Sequence, residues 1–343
     1  MSGIDSMANV IRIVFFYPIH LCLYCILRLR HFLFDRGFLP SARINIPLVC
    51  IGNLELGGSG KTPMVDFILQ KFSSKKKIAF LSRGYGRKTR GFRWLTECSG
   101  PAEAGDEPWF LAKKWGVKAV FAVDENRVRG IFNILESFPE TEVILLDDAF
   151  QHRSVLPGFS ILLTPFHRPF FRNFLFPAGS LRDTPSSARR ADALVFTRAE
   201  TADDAHKDLA KAEAMHAGFP DVPVFVSNIA YDAPVNVKRE VLPPGTAVIC
   251  IAGLADNSSF FHYCSNNFQV NRKISLPDHY AYQAGFFENK GINPDYRLLC
   301  TEKDYAKLLE IAPKPEMVFY LPIRIRIHPE EEFLNLIEKA ISA

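Results

Sequence analysis

The segment GNLELGGSGKTP, residues 52–63, sets glycines, one lysine and a threonine at a spacing suited to phosphate binding. Glycines let successive backbone N–H groups point at an anion, and a helix start adds partial positive charge. A lysine after them reaches the β- and γ-phosphates of a nucleotide, and the next hydroxyl meets Mg2+. Gly57, Gly58, Ser59, Gly60, Lys61 and Thr62 supply this set. The pattern departs from G-x-x-x-x-G-K-[ST] at one place, where Glu55 stands for the first glycine. That glycine mainly permits a turn, so the departure touches the path into the loop and not its ligands. A second run, EVILLDDAFQHR at 142–153, is apolar from Val143 to Leu146 and ends in Asp147 and Asp148. A parallel strand ending in aspartate supplies the carboxylate that helps hold Mg2+ in P-loop enzymes. Such strands are common in purely structural roles too; the pairing with the glycine loop favours chemistry here.

These residues need a scaffold that brings them to one edge. INIPLVCIGN leads into the glycine loop, and MVDFILQKF after it has helical spacing. IAFLSRGYGR (78–87), VKAVFAVD (117–124), EVILLDD (142–148), FSILLTP (159–165) and ALVFTR (193–198) read as further strands. Helical periodicity lies between them, as in DEPWFLAKKW (106–115) and ENRVRGIFNILESF (125–138). Alternation of this kind predicts an α/β fold, a P-loop NTPase-like parallel sheet with helices on both faces. Ligands bind such sheets at the carboxyl ends of the strands, where the motifs fall. After a polar helix near 203–217 the rhythm restarts with TAVICIAGLAD, QVNRKISLPDHYAY, YRLLCTEKDYAKLLE and MVFYLPIRIRI. The expected organisation is an N-terminal apolar helix over residues 1–36 and a P-loop domain over 37–225. A smaller α/β domain over 226–328 follows, and then a C-terminal helix over 329–343 that could pack on either.

Composition limits the function classes. At 343 residues with 48% hydrophobic and 23% charged side chains, the chain has material for two globular domains. A net charge of +4 argues against a dedicated nucleic-acid binder, which would concentrate basic residues on one face. Thirty phenylalanines suggest extra apolar surface for a lipid. The seven cysteines are scattered, and the C-x-x-C of Cys22 and Cys25 sits in an apolar helical run without a second pair. That is the usage of a reduced, cytosol-facing protein. From Ile13 to Leu27 no residue is charged, and Arg12, Arg28, Arg30 and Arg36 flank the run. Fifteen residues fall short of the ~20 of a membrane span. A helix lying in the membrane interface against anionic lipid, a helix buried against the protein's own core, and a true span all remain open.

GTPases read guanine with N-K-x-D after a late strand, and the equivalent place here is TRAE, residues 197–200. ATP is therefore the expected nucleotide. A membrane-associated P-loop switch that works by partner binding is the rival reading. Its signature lysine position holds Leu56, which disfavours it.

Nine segments in register carry a resemblance. They are GNLELGGSGKTP, LSRGYGR, GDEP (105–108), VDENR (123–127), LLDDAFQHR, LFPAGSLRD (175–183), RADALV (190–195), LPDHYAY and TEKD (301–304). Together they resemble the tetraacyldisaccharide 4'-kinase family over nearly the whole chain. The resemblance implies transfer of the ATP γ-phosphate, with Mg2+, to the 4'-hydroxyl of an acylated glucosamine disaccharide phosphate in lipid A (lipopolysaccharide) biosynthesis. It implies a peripheral or monotopic location at the cytoplasmic face of the bacterial inner membrane, with no obligate protein partner. It also implies that the second domain closes over the cleft.

Roles follow from the same resemblance. Asp106 and Glu107 would otherwise read as acids complementing a helix start. The family places Asp106 near the acceptor hydroxyl and Glu107 near Mg2+, with Thr62, Asp147 and Asp148. It brings His279, in DHY, toward Asp106 across the interdomain cleft. Arg83 and Tyr85 in their glycine-rich turn, and His152 after the two aspartates, become acceptor contacts. Arg87 shares that turn. FHRPFFRNFLFPAGSLRD (166–183) mixes phenylalanines with arginines, suited to a lipid that carries acyl chains and a phosphate. Within it Arg182 is the expected charge stabiliser, alongside Lys61.

Overall fold

The computed structural model describes residues 3–254, 256–278 and 280–342, with side chains from Val14 onward. Strands β1 (Leu48–Asn53), β2 (Ile78–Ser82), β3 (Arg93–Trp94), β4 (Ala119–Val123), β5 (Val143–Asp147), β6 (Phe159–Pro165) and β7 (Ala193–Thr197) come first in the chain. They are followed by β8 (Val224–Tyr231), β9 (Ala247–Ala252), β10 (Gln269–Ser275), β11 (Leu298–Thr301), β12 (Val318–Leu321) and β13 (Ile323–His328). The helices that matter below are α1 (Gly3–Asp35), α2 (Lys61–Phe72), α3 (Asp106–Trp115), α4 (Arg127–Ser137), α5 (Glu302–Leu309) and α6 (Glu330–Ser342).

The chain divides into two compact units. One comprises Met1–Asn228 and Ile325–Ala343, the other Ile229–Arg324. The first is built on a nine-stranded sheet in the order β13-β8-β7-β6-β1-β5-β2-β4-β3. β1 lies between β5 and β6 and is parallel to both. Its six residues are all buried, as a strand covered on both faces requires. One apolar cluster on the sheet joins Met64, Phe67 and Ile68 of α2 to Leu111 of α3 and to Phe333, Ile337 and Ile341 of α6. The other contains Leu54, Ile131, Ile134, Phe150 and Phe170. The C-terminal helix thus belongs to the first unit.

The second unit carries a four-stranded parallel sheet, β10-β9-β11-β12. The apolar run MVFYLPIRIRI, continuous in sequence, is divided: β12 closes the small sheet and β13 edges the large one. Pro322 separates them. Proline has no N–H for a ladder, so the strand breaks there.

α1 is a single 33-residue helix. Leu23 and Leu27 pack on the core. Val14, Phe15, Ile19, Leu21, Ile26 and Leu29 are exposed, Phe15 by 74%. A helix buried against its own core would not leave so many large apolar side chains outside. Among the described residues, no helix is long and apolar enough to cross a membrane.

Candidate active site

Three neighbouring strands end at one place. β1 runs into the glycine loop, β5 ends at Asp147, and β2 ends at Ser82 before Arg83. Gly57 and Gly60 have φ of +102° and +89°. Such backbone is open to glycine and strained for other residues. From there α2 starts at Lys61, so its first N–H groups face the loop. Thr197 at the end of β7 donates its hydroxyl to the Ser59 carbonyl at 2.9 Å, which fixes the loop from below.

Glu55, the departure from the usual pattern, does not point at the phosphate position. Its side chain is buried, accepts from Asn173 Nδ2 at 2.9 Å, and faces Arg168 at 3.7 Å. Leu56 N donates to the Ser180 carbonyl at 2.8 Å. The acid thus ties the loop to residues 168–180 and not to a ligand. Burial, its leading influence, raises its pKa.

Thr62 Oγ1 donates to Glu107 Oε2 at 2.7 Å, which joins the first turns of α2 and α3. Asp147 accepts from Ser82 Oγ at 3.0 Å through one oxygen; the other is buried without a hydrogen-bond partner among the described residues. Burial first, then the charges of Glu107 and Asp148, pushes Asp147 up to about 7. Asp148 takes φ +49°, which aspartate tolerates better than most residues. It pairs with both guanidinium nitrogens of Arg182, the Nη1 contact being 2.8 Å, and with Lys61 Nζ at 3.6 Å. Its pKa is depressed: these bonds and charges outweigh its burial.

A divalent cation fits this acid cluster. The orphaned oxygen of Asp147, the Thr62 hydroxyl and the nearby carboxylates are hard oxygen donors suited to Mg2+. Among the described residues no three His, Cys, Asp or Glu side chains form a ready metal cage. Mg2+ usually completes its shell with water and substrate phosphates, so a full protein cage is not required.

The sequence-derived residues are distributed as follows. Lys61, Thr62, Glu107, Asp147, Asp148 and Arg182 come together through the contacts above. Asp106 opens α3 beside Glu107 and is half-buried. Arg83 and Tyr85 are exposed on their turn, Tyr85 by 81%. Arg87, by contrast, turns inward onto Glu125 at 2.9 Å and the Gly91 carbonyl at 2.8 Å. His152 is half-buried; burial, then Arg127 and Arg83, pull its pKa down to about 4, so it is neutral at pH 7. His279 lies outside the described residues. Its neighbour Asp278 accepts from Lys303 of α5 at 2.9 Å.

Two residues absent from the sequence reading belong here. Asn53, the last residue of β1, is fully buried and faces both Lys61 and Arg182. Arg127, also buried, donates to the carbonyls of Asp124 and Asp147. Asn53 stood inside the glycine segment, but a strand-end asparagine has no spacing signal of its own. VDENR contains Arg127, but nothing in its spacing tells a buried arginine from an exposed one.

The family model for tetraacyldisaccharide-1-P 4'-kinase matches residues 12–342. The chain belongs to that family. It is 34% identical to the tetraacyldisaccharide 4'-kinase of Cytophaga hutchinsonii, over 91% of this chain and 91% of that protein. To the kinase of Flavobacterium johnsoniae it is also 34% identical, over 92% and 93% of the two chains. Its fold is similar to the crystal structure of LpxK from Aquifex aeolicus in complex with ATP. The TM-score there is 0.76 at 28% identity, covering 96% of this chain and 99% of that one. The kinase family supplies a reason for a phosphate loop beside an acid cluster at the strand ends.

Proposed function

We propose that this chain is an ATP- and Mg2+-dependent lipid kinase. It transfers the γ-phosphate to the 4'-hydroxyl of a tetraacyl glucosamine disaccharide 1-phosphate, at the cytoplasmic face of the inner membrane. The observation that carries the reading is the joining of Lys61, Thr62, Glu107, Asp148 and Arg182 at the ends of β1 and β5. Phosphoryl transfer needs positioning and preorganised charge more than covalent chemistry. Loop amides and Lys61 would hold the phosphates. Thr62, Glu107, Asp147 and Asp148 would hold Mg2+, which neutralises charge on the β- and γ-oxygens when bound. Arg182 would meet the charge that develops during transfer.

Asp106 would take the proton of the acceptor hydroxyl, and His279 would orient it. Arg83, Tyr85 and neutral His152 would line the acceptor's path. The smaller domain would close over the cleft, so that the pair assembles only with substrates bound. The exposed apolar face of α1, with Arg28 exposed on the helix and Arg36 just past its end, suits a helix seated among anionic headgroups. Radiolabelled ATP with a panel of glycolipid acceptors tests this. The expected product carries label at the 4'-position, fixed by NMR. ATP turnover that ignores the acceptor and labels no lipid would replace the kinase by a nucleotide switch.

A further inference from the structure

Asn53 joins the two cations of the site, and the contacts define what its amide does. Its Nδ2 donates to the Glu55 carbonyl at 2.8 Å. That bond turns Oδ1 the other way, toward Lys61 Nζ at 3.3 Å and the guanidinium of Arg182, a close contact. Its main-chain carbonyl accepts from Arg182 Nη2 at 3.2 Å and from Gln151 Nε2 at 2.8 Å. The residue is 0% exposed at the end of a strand paired on both sides. Its main chain is therefore held by pairing with Leu163 of β6, and its amide by the Glu55 carbonyl.

Asp148 holds the same two cations, but differently. A carboxylate attracts them by charge and competes with phosphate for them. A neutral amide oxygen directs their N–H groups without cancelling their charge. A site meant to stabilise a transferring phosphoryl group, whose charge is spread over three oxygens, needs cations that are oriented yet not neutralised.

We infer that Asn53 is a positioning residue that fixes Lys61 and Arg182 at one spacing for the transferred phosphoryl group. The inference rests on the kinase reading. It predicts that phosphate-binding charge depends on a residue that never touches the substrate. Asn53→Ala removes the shared acceptor. Asn53→Asp keeps its shape but puts a negative charge between the cations.

The test is steady-state kinetics of the full chain with ATP and glycolipid acceptor, plus one double-variant cycle. Asn53→Ala should lower kcat by about 10- to 100-fold, less than the ~10²–10³ of removing a charge-stabilising donor itself. KM for ATP should stay within about threefold, since uniform binding is unchanged. Asn53→Asp should instead raise KM for ATP, because its carboxylate competes for the cations. In the Arg182→Ala background, Asn53→Ala should add less than about threefold, as groups acting as a unit are non-additive. A purely structural asparagine would give the same loss in both backgrounds and the same KM for Ala and Asp; that pattern overturns the inference. Should Asn53→Ala fail to fold, the Asp variant carries the test, and an unchanged KM there overturns it too. Should Arg182→Ala itself retain near-normal kcat, the kinase site is misassigned and the inference falls with it.

Discussion

Deleting one ring on α1 should disturb the loop that carries Arg182 to Asp148. His31 Nε2 bonds Asp183 Oδ1 at 2.6 Å, and Ser187 Oγ lies 3.1 Å from the same nitrogen. The Asp183 side chain is fully buried, and it directly follows Arg182. In His31→Ala it retains Thr184 N at 2.8 Å and Arg190 at 3.4 Å. Breaking a buried pair costs about 3–5 kcal/mol. The two remaining partners put this case near the low end, at about 3 kcal/mol. For a cooperative unit of this size each kcal/mol is worth ~2–4 °C, so Tm should fall by about 6–12 °C. His31→Gln keeps a donor and should recover part of it. The pH dependence has a definite sign. The His31 bond is the largest of the influences that hold Asp183 below the usual carboxylate range, against the opposing effect of burial. Its contribution is full above the unfolded carboxyl pKa of about 3.9. It is lost as pH falls through the depressed folded value, so the gap between wild type and His31→Ala should narrow in acid. Differential scanning fluorimetry across pH gives both quantities. A Tm change below about 1 °C at neutral pH would show that the pair does not hold this loop.

Other outcomes are expected at separate places. Lys61→Ala should lose at least ~100-fold in turnover, the scale of one preorganised electrostatic group; near-normal activity would remove the loop from the ATP site. Asp106→Asn should lose about 10²–10³-fold and abolish the acidic limb of the pH–rate profile, whereas an unchanged profile would move the base to another residue. Phe15→Glu with Ile26→Glu, both on the exposed face of α1, should reduce co-sedimentation with anionic vesicles without shifting Tm; equal pelleting would deny the helix a lipid role. Phe333→Ala, with its ring 5.0 Å from Phe225 and no exposure, should destabilise by ~3–5 kcal/mol, read by denaturant midpoint.

Local chemistry was legible in the sequence wherever backbone demands are short-ranged. The glycine segment, the strand ending at Asp147 and the helix from Asp106 to Trp115 could all be read because a few adjacent residues dictate them. Arg87 was less legible: a glycine-rich turn says that an arginine is nearby, not that Glu125 draws it inward. Asn53 was not legible at all. Its meaning depends on Arg182, 129 positions away, and only the sheet brings the two together. MVFYLPIRIRI falls wholly within the expected second domain, because periodicity does not state which sheet a residue joins; β13 joins the large one. Glu55 departs from the loop pattern, and the partner that accounts for it, Asn173, lies 118 positions away.

The order of elements along the chain has a consequence for synthesis. Every phosphate-loop and acid-cluster residue emerges from the ribosome within the first stretch, well before β13 and α6. Those last two complete the same sheet and core: β13 pairs with β8, and Phe333, Ile337 and Ile341 close the cluster around Met64 and Phe67. N-terminal domains generally begin to fold during translation. Here the growing chain would meet that stage with β8 as an open edge and an apolar groove along α2, a form prone to pairing with other chains. The intervening unit must be made first. A polypeptide truncated just before Ile323 would therefore hold the glycine loop and its acid cluster and still lack the means to keep them in place.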